Sequence, residues 1–390
     1  MLQTMGGNPR NFKKLDLYSL PSPCFVIDKR ALELNLKILQ NLKLRTDVKI
    51  LIALKAFSTF SLAPLISKYL DGCCSSGLYE TKLAKKYFSG KISTFSPAFK
   101  KEEFREIATI SDHIIFNSLN QFDKFSGVAK ELHNEIGVRI NPLYSEINNA
   151  KYNSSNINSR LGIHKSDLKN IDLNKLDGIH FHSLCEQNFK PLKNTWDNIK
   201  EIILPVSNDL KWINLGGGHH ITREDYEIDR LVEFLKKISK ETNCEIYLEP
   251  GEAVVLDAGV LVGEIIDTFK PNNNFSPYIA ITDISATSHI PDVIEAPYRP
   301  ALLNESKTGY NVNIGGPSCL AGDIIGNYKF NKLPQVGDRI AFLDQAHYTM
   351  VKTSFFNGIK LPSIAIWDSD TNDIQVIKSF SFEDFENRLS

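Results

Sequence analysis

The sequence predicts an α/β fold: a (β/α)8 TIM-like barrel followed by a mostly antiparallel β domain. Eight short apolar runs, at residues 48–55, 72–75, 91–95, 112–117, 136–141, 177–182, 211–215 and 244–249, alternate with longer amphipathic stretches. Regular alternation of strand and helix implies parallel pairing, and eight such units spread over roughly 200–250 residues suit a closed barrel better than an open sheet. After Pro250 the apolar runs shorten and turn-forming clusters separate them.

Taken in order, Met1 to Lys14 has no apolar core of the signal-peptide kind. Pro23–Asp28 is strand-like and precedes the first barrel strand, so it is expected to join the carboxy-terminal domain. The predicted barrel covers residues 31–262, and residues 1–30 with 263–390 make the β domain. Helical spacing of three and four marks Ser61–Leu70, Tyr79–Phe88, Lys100–Ala108, Asn194–Val206 and Arg223–Lys240. Pro142 to Arg160, rich in Asn and Ser, follows the fifth strand where a lid over a barrel mouth would sit. After Pro250, Val254–Val262, Tyr278–Thr282, Asn311–Ile314, Arg339–Phe342 and Ser363–Trp367 are predicted strands, separated by turns such as Pro271–Asn274 and Pro334–Asp338.

Composition excludes several classes. Lys and Arg total 45 against 46 Asp and Glu, so no global field recruits nucleic acid or an anionic membrane. No run reaches membrane-spanning length, which with the amino terminus points to a cytoplasmic protein. Six scattered cysteines lack paired metal spacing and are too sparse for a disulfide framework, so reduced thiols and no metal site are expected.

Barrel enzymes place their chemistry at the carboxyl ends of the strands, and the unusual residues here fall at those ends. Lys55 closes the first strand, His182 the sixth, Gly216-Gly217-Gly218-His219-His220 follows the seventh, and Glu249-Pro250-Gly251 ends the eighth. Singly, a lysine that ends a strand, a glycine turn, a histidine held in the core or a Glu before Pro that caps a loop explains each. Together they describe one chemistry. A desolvated lysine amine attacks aldehydes, successive glycines bring backbone N–H groups onto a phosphate, an imidazole lies flat on an aromatic ring, and a carboxylate holds a proton on a pyridine nitrogen. That set fits pyridoxal 5′-phosphate. The adjacent pair His219-His220 suits packing better than metal binding, because neighbours on a loop rarely face one ion.

These motifs resemble the alanine-racemase-like group of pyridoxal-phosphate decarboxylases, which includes the ornithine and diaminopimelate decarboxylases, over nearly the whole chain. Gly316-Pro317-Ser318-Cys319 is similar to that group's Gly-Pro-x-Cys segment, Asp344–Tyr348 ends in a tyrosine matching its phosphate contact, and Phe356-Asn357-Gly358 matches a further element. The resemblance implies Lys55, Cys319, His182 and Glu249 as catalytic residues. It implies Lys55, His182, Gly216, Gly217, Gly218, Glu249 and Tyr348 as cofactor contacts, and a homodimer in which Cys319 enters the partner's site. Read from chemistry alone, Cys319 suits a structural thiol as well as a reactive one, and Tyr348 a packed tyrosine as well as a ligand contact.

One departure narrows the substrate. Many decarboxylases of this group carry arginine after Glu-Pro-Gly, and this chain has Glu252. A carboxylate there repels the second carboxylate of diaminopimelate and attracts the ammonium groups of a polyamine. Asp283–Asp292 and Glu295 add acidic residues, although Asp283 or Asp292 also suits a turn. With His180–Glu186, Gly216–Thr222, Glu249–Ala253 and Cys319–Asp323, the chain is similar to the bacterial carboxynorspermidine/carboxyspermidine decarboxylases. That likeness implies Glu252, Asp292 and Asp323 as substrate contacts. The alternatives are decarboxylation of diaminopimelate or ornithine, an inactive homologue that binds a protein, or a barrel hydrolase using Glu186, Glu249 and Glu252.

Overall fold

The computed structural model describes residues 4, 5, 7–272 and 276–390; Asn273 and Asn274 of the predicted turn lie outside them. The chain divides into two compact units, Glu33–Val254 and Met1–Leu32 together with Val255–Ser390.

In the first unit the strands Lys49–Ala53, Gly72–Ser75, Lys91–Phe95, His113–Phe116, Glu135–Asn141, Gly178–His180, Trp212–Asn214 and Glu245–Leu248 pair in parallel. The eighth strand pairs with the first, which closes the barrel. Each strand begins and ends within two residues of its predicted run, because burial on both faces makes the strands rich in apolar residues. Inside the barrel, Trp212 fills space made by two glycines. A Cβ on Gly137 would lie 2.3 Å from the indole, and one on Gly178 2.1 Å from it. The His113 ring stacks on that indole at 4.8 Å and 6°, and Tyr247 meets it edge-on. These rings fill the barrel interior.

Helices Leu78–Tyr87, Lys101–Ile110, Phe189–Ile203 and Ile228–Thr242 cover the barrel. The last starts five residues later than its predicted pattern, and Arg223 instead turns back to pair with Asp225 at 2.5 Å. Two further helices, Lys29–Thr46 and Leu119–Glu131, complete the alternation. The polar stretch after the fifth strand is stitched down at several points. Ser154 Oγ donates to the His182 carbonyl at 2.6 Å, Asn141 Nδ2 donates to the Asn156 carbonyl at 3.0 Å, and Asn117 holds the Arg160 carbonyl and the Gly162 N–H.

In the second unit, Cys24–Asp28 lies between Gly259–Phe269, with which it pairs antiparallel, and Ser363–Asp368, with which it pairs parallel. Tyr278–Thr282, Tyr310–Gly315, Ile324–Phe330, Arg339–Leu343 and Asp373–Lys378 extend the sheet. The predicted strand Val254–Val262 is corrected here: Glu252–Val255 is a short helix and the strand begins at Gly259. Asp257, at φ 53°, turns the chain between them. All six cysteines are free, and burial pushes the Cys24 and Cys73 thiols up to about 12.

Candidate functional site

The first strand stops at Ala53, and a turn in which Ala56 N–H and Phe57 N–H both donate to the Ala53 carbonyl carries Lys55 beyond the ladder. Leu54 and Ala56 are 1% and 0% exposed, yet Lys55 itself is exposed. The expected desolvated lysine is thus an accessible amine on a rigid, buried backbone. The same turn packs on the end of the eighth strand: Ala53 N–H donates to the Pro250 carbonyl at 3.0 Å. A Cβ on Gly251 would lie 2.6 Å from that of Ala56.

Glu249 follows the eighth strand and is buried. Its Oε2 lies 3.3 Å from His180 Nε2, and its Oε1 accepts from Asn214 Nδ2 at 2.7 Å. Burial alone works against its charge. His180, Asn214 and Lys55 together more than offset that, so the carboxyl sits below the usual glutamate value and stays ionised at neutral pH.

His182 lies two residues past the sixth strand and is half-buried. Its Nδ1 accepts from the Gly217 N–H at 3.1 Å, which places the ring proton of the neutral imidazole on Nε2. Burial, reinforced by the charges of Lys55 and Arg139, pushes its pKa well below the ordinary histidine range. Arg139, inside the fifth strand, donates to the His182 carbonyl at 3.0 Å and places its guanidinium 4.7 Å from the centre of the Phe95 ring.

The glycine triplet serves neighbouring side chains. Gly216 N–H donates to Asn214 Oδ1 at 2.9 Å and Gly217 N–H to His182, so both donors serve side chains of the site. Gly218 is the member whose N–H neither side chain uses. A Cβ on Gly217 would sit 2.0 Å from the Glu249 carbonyl, so the close approach of the two loops requires glycine. Among the following pair, His219 Nδ1 lies 2.7 Å from the Tyr226 hydroxyl, and burial pushes its pKa down to about 3. His220 Nε2 lies 3.4 Å from Glu252 Oε2, and both side chains are mostly buried.

The second unit carries the other predicted residues. Cys319 is exposed, and its N–H donates to Asn357 Oδ1 at 3.0 Å. Tyr348 is half-buried and opens the helix Tyr348–Val351. Asp292 Oδ1 accepts from Lys352 Nζ at 2.5 Å, and Glu295 Oε2 lies 3.8 Å from the same ammonium. Asp323 is buried and its carboxylate receives Ser285 Oγ at 3.0 Å, Ala286 N–H at 2.6 Å, Ser318 N–H at 3.1 Å and Thr287 N–H at 3.4 Å. Asp283 similarly accepts the Glu264 N–H at 2.8 Å.

His180, Asn214 and Arg139 are the residues that sequence reasoning did not single out. The signal was the two-residue period of a strand: His180 and His182 are two apart, as are Trp212 and Asn214, and alternate residues share a face. A further departure is that His180, His182 and Glu249 bring one potential ligand atom each to within 4.8 Å of one another, a grouping in space that linear spacing does not reveal.

Residues 24–346 match the family model described as pyridoxal-dependent decarboxylase, C-terminal sheet domain. The carboxynorspermidine/carboxyspermidine decarboxylase of Campylobacter jejuni is 39% identical over 383 residues, covering 95% of this chain and 98% of that protein. The carboxyaminopropylagmatine decarboxylase of Synechocystis is 34% identical over 386 residues, covering 98% and 97%. The crystal structure of the Campylobacter jejuni carboxynorspermidine decarboxylase complexed with norspermidine superposes with a TM-score of 0.87 at 37% identity, covering 95% of this chain and all of that one. The chain belongs to the pyridoxal-dependent decarboxylase family.

Proposed function

We propose that this protein decarboxylates carboxynorspermidine or carboxyspermidine, releasing carbon dioxide and norspermidine or spermidine in polyamine biosynthesis. The observation that carries the substrate class is the mostly buried carboxylate of Glu252, just past the eighth barrel strand and beside His220. A cation suits that place and a second substrate carboxylate does not. Relatives of nearly full length that are named for carboxylated polyamine-type substrates support the same class.

The residues present fit pyridoxal 5′-phosphate. Lys55 offers an accessible amine for covalent attachment, Glu249 an ionised buried carboxylate for the ring nitrogen, and His182 a neutral imidazole to lie against the ring. Gly216, Gly217, Gly218 and Tyr348 are assigned to the phosphate end, with Gly218 the donor left over by the side chains. When bound, the cofactor supplies an electron sink for the pair released as carbon dioxide departs. Glu249 keeps the proton on the ring nitrogen, and Cys319 gives the proton that replaces the carboxylate on Cα.

Glu252 and Asp292 receive the ammonium groups of the substrate, and at Asp292 the ammonium takes the place of Lys352. Asp323 is assigned as a third contact, and the four donors on its carboxylate also tie Ser285–Thr287 to the segment that carries Cys319. The working form is a homodimer with Cys319 shared between subunits, acting in the cytoplasm. Among the described residues no helix is long and apolar enough to cross a membrane.

The test is carbon dioxide release over a panel of carboxynorspermidine, carboxyspermidine, carboxyaminopropylagmatine, diaminopimelate and ornithine, with borohydride trapping and peptide mapping of the cofactor. A preference for diaminopimelate overturns the substrate reading, trapping anywhere but Lys55 overturns the site, and a fully active monomer overturns the sharing of Cys319.

A further inference from the structure

We propose that His180 and Asn214 are positioning residues that fix the two carboxylate oxygens of Glu249 with neutral N–H donors, holding the side chain in place while leaving its full charge for the cofactor's ring nitrogen. The inference rests on the cofactor class, which family membership supplies, and is independent of the substrate.

The donor and acceptor assignments follow from the network. Asn214 Oδ1 accepts the Gly216 N–H at 2.9 Å, which turns the amide N–H toward Glu249 Oε1 at 2.7 Å; the reversed amide would set oxygen against carboxylate. His180 is 1% exposed, and its Nδ1 has no hydrogen-bond partner among the described residues. An imidazolium would leave a charged, buried N–H at Nδ1 with no acceptor, close to Arg139 and Lys55. The neutral ring with its proton on Nε2 donates to Glu249 at 3.3 Å and leaves only an unused lone pair.

A lysine or arginine in place of His180 would hold the carboxylate equally well but would neutralise it, and a neutralised carboxylate no longer favours a protonated pyridine. The contacts also join the ends of the site. His180 to Glu249, Glu249 to Asn214, Asn214 to Gly216, and Gly217 to His182 form one chain of hydrogen bonds through the glycine loop, all between 2.7 and 3.3 Å. The carboxylate that would meet the ring nitrogen and the imidazole that would lie against the ring are therefore set by the same loop.

The experiment uses the cofactor-loaded enzyme with His180→Leu, His180→Gln and Asn214→Leu, and reads cofactor dissociation by equilibrium dialysis, the pH dependence of the visible cofactor band, kcat and KM separately, and bound metal by elemental analysis. His180→Leu and Asn214→Leu are expected to lower kcat about ten- to hundredfold, in the range for partners that orient a buried functional group, with KM nearly unchanged. They also weaken cofactor retention and shift the pH response of the band. His180→Gln, which keeps a neutral donor, restores both. Unchanged retention and band in His180→Leu overturn the proposal, as does a stoichiometric metal in the wild type that is lost with His180. Where the leucine variants do not fold, His180→Gln decides: a wild-type band supports the proposal and an altered one refutes it.

Discussion

Replacing Glu252 tests the substrate class most directly, because the structure gives the size of the effect. The carboxylate lies 3.4 Å from His220 Nε2, and its side chain is 15% exposed. A substrate ammonium at the same separation gains about 5 kcal/mol of gross Coulomb energy at an effective dielectric near 20. Desolvation of the arriving ammonium removes much of that, leaving about 1.5–3 kcal/mol, the usual worth of a hydrogen bond to a charged group. Glu252→Gln keeps the shape and removes the charge, so kcat/KM for carboxynorspermidine is expected to fall about ten- to hundredfold. The contact is made equally in ground and transition state, so KM carries the loss and kcat holds. Glu252→Arg goes further and narrows the gap between carboxynorspermidine and diaminopimelate. The assay is carbon dioxide release with both substrates at two salt concentrations. A KM for Glu252→Gln within about twofold of wild type, or a loss that falls on kcat alone, refutes the charge argument.

Three other outcomes follow from neighbouring features. Lys352 occupies Asp292 at 2.5 Å, so Lys352→Met is expected to lower KM for carboxynorspermidine severalfold with kcat unchanged; a raised KM contradicts the assignment of Asp292 to the substrate. Burial holds His219 down to about 3 and His289 down to about 4, so the folded units stay neutral there while the unfolded chain takes up protons near pH 6.5. Between that value and about pH 4 the unfolded state binds the extra protons, so stability falls as pH falls, by up to about 1.4 kcal/mol per pH unit for each histidine. Urea unfolding at successive pH values measures the slope, and His289→Asn is expected to flatten it. Finally, EDTA is expected to leave the loaded enzyme active and added zinc to inhibit it, because a metal on His180, His182 and Glu249 would take the atoms the cofactor needs. Activity lost to EDTA and restored by zinc points to a metal enzyme instead.

How far the sequence discloses this protein depends on what each residue's role is made of. Barrel strands are legible because burial on both faces writes itself as a continuous apolar run. Helix Lys29–Thr46 is also legible in principle, since Leu32, Leu36, Leu39 and Leu42 are all buried at spacings of four and three. Strand Asp373–Lys378 is not. It pairs on one side only, with Ser363–Asp368, and buries no residue, so no alternation marks it. Val254 and Val255 mislead for the opposite reason: an apolar pair is equally at home in a buried helical turn, and only the backbone reversal at Asp257 separates that turn from the strand.

At the site the distinction is between identity and partnership. Lys55, His182, Glu249 and Glu252 stand out because their types are unusual at strand ends. Asp323 has as suitable a charge as Asp292, yet among the described residues four donors enclose the first and one lysine meets the second within hydrogen-bonding reach. The same argument separates the two histidines at the end of the sixth strand. His182 accepts from the glycine loop, whereas His180 lies against Glu249. A pair of histidines two residues apart in sequence thus divides by its contacts, one accepting the Gly217 N–H and the other facing the Glu249 carboxylate.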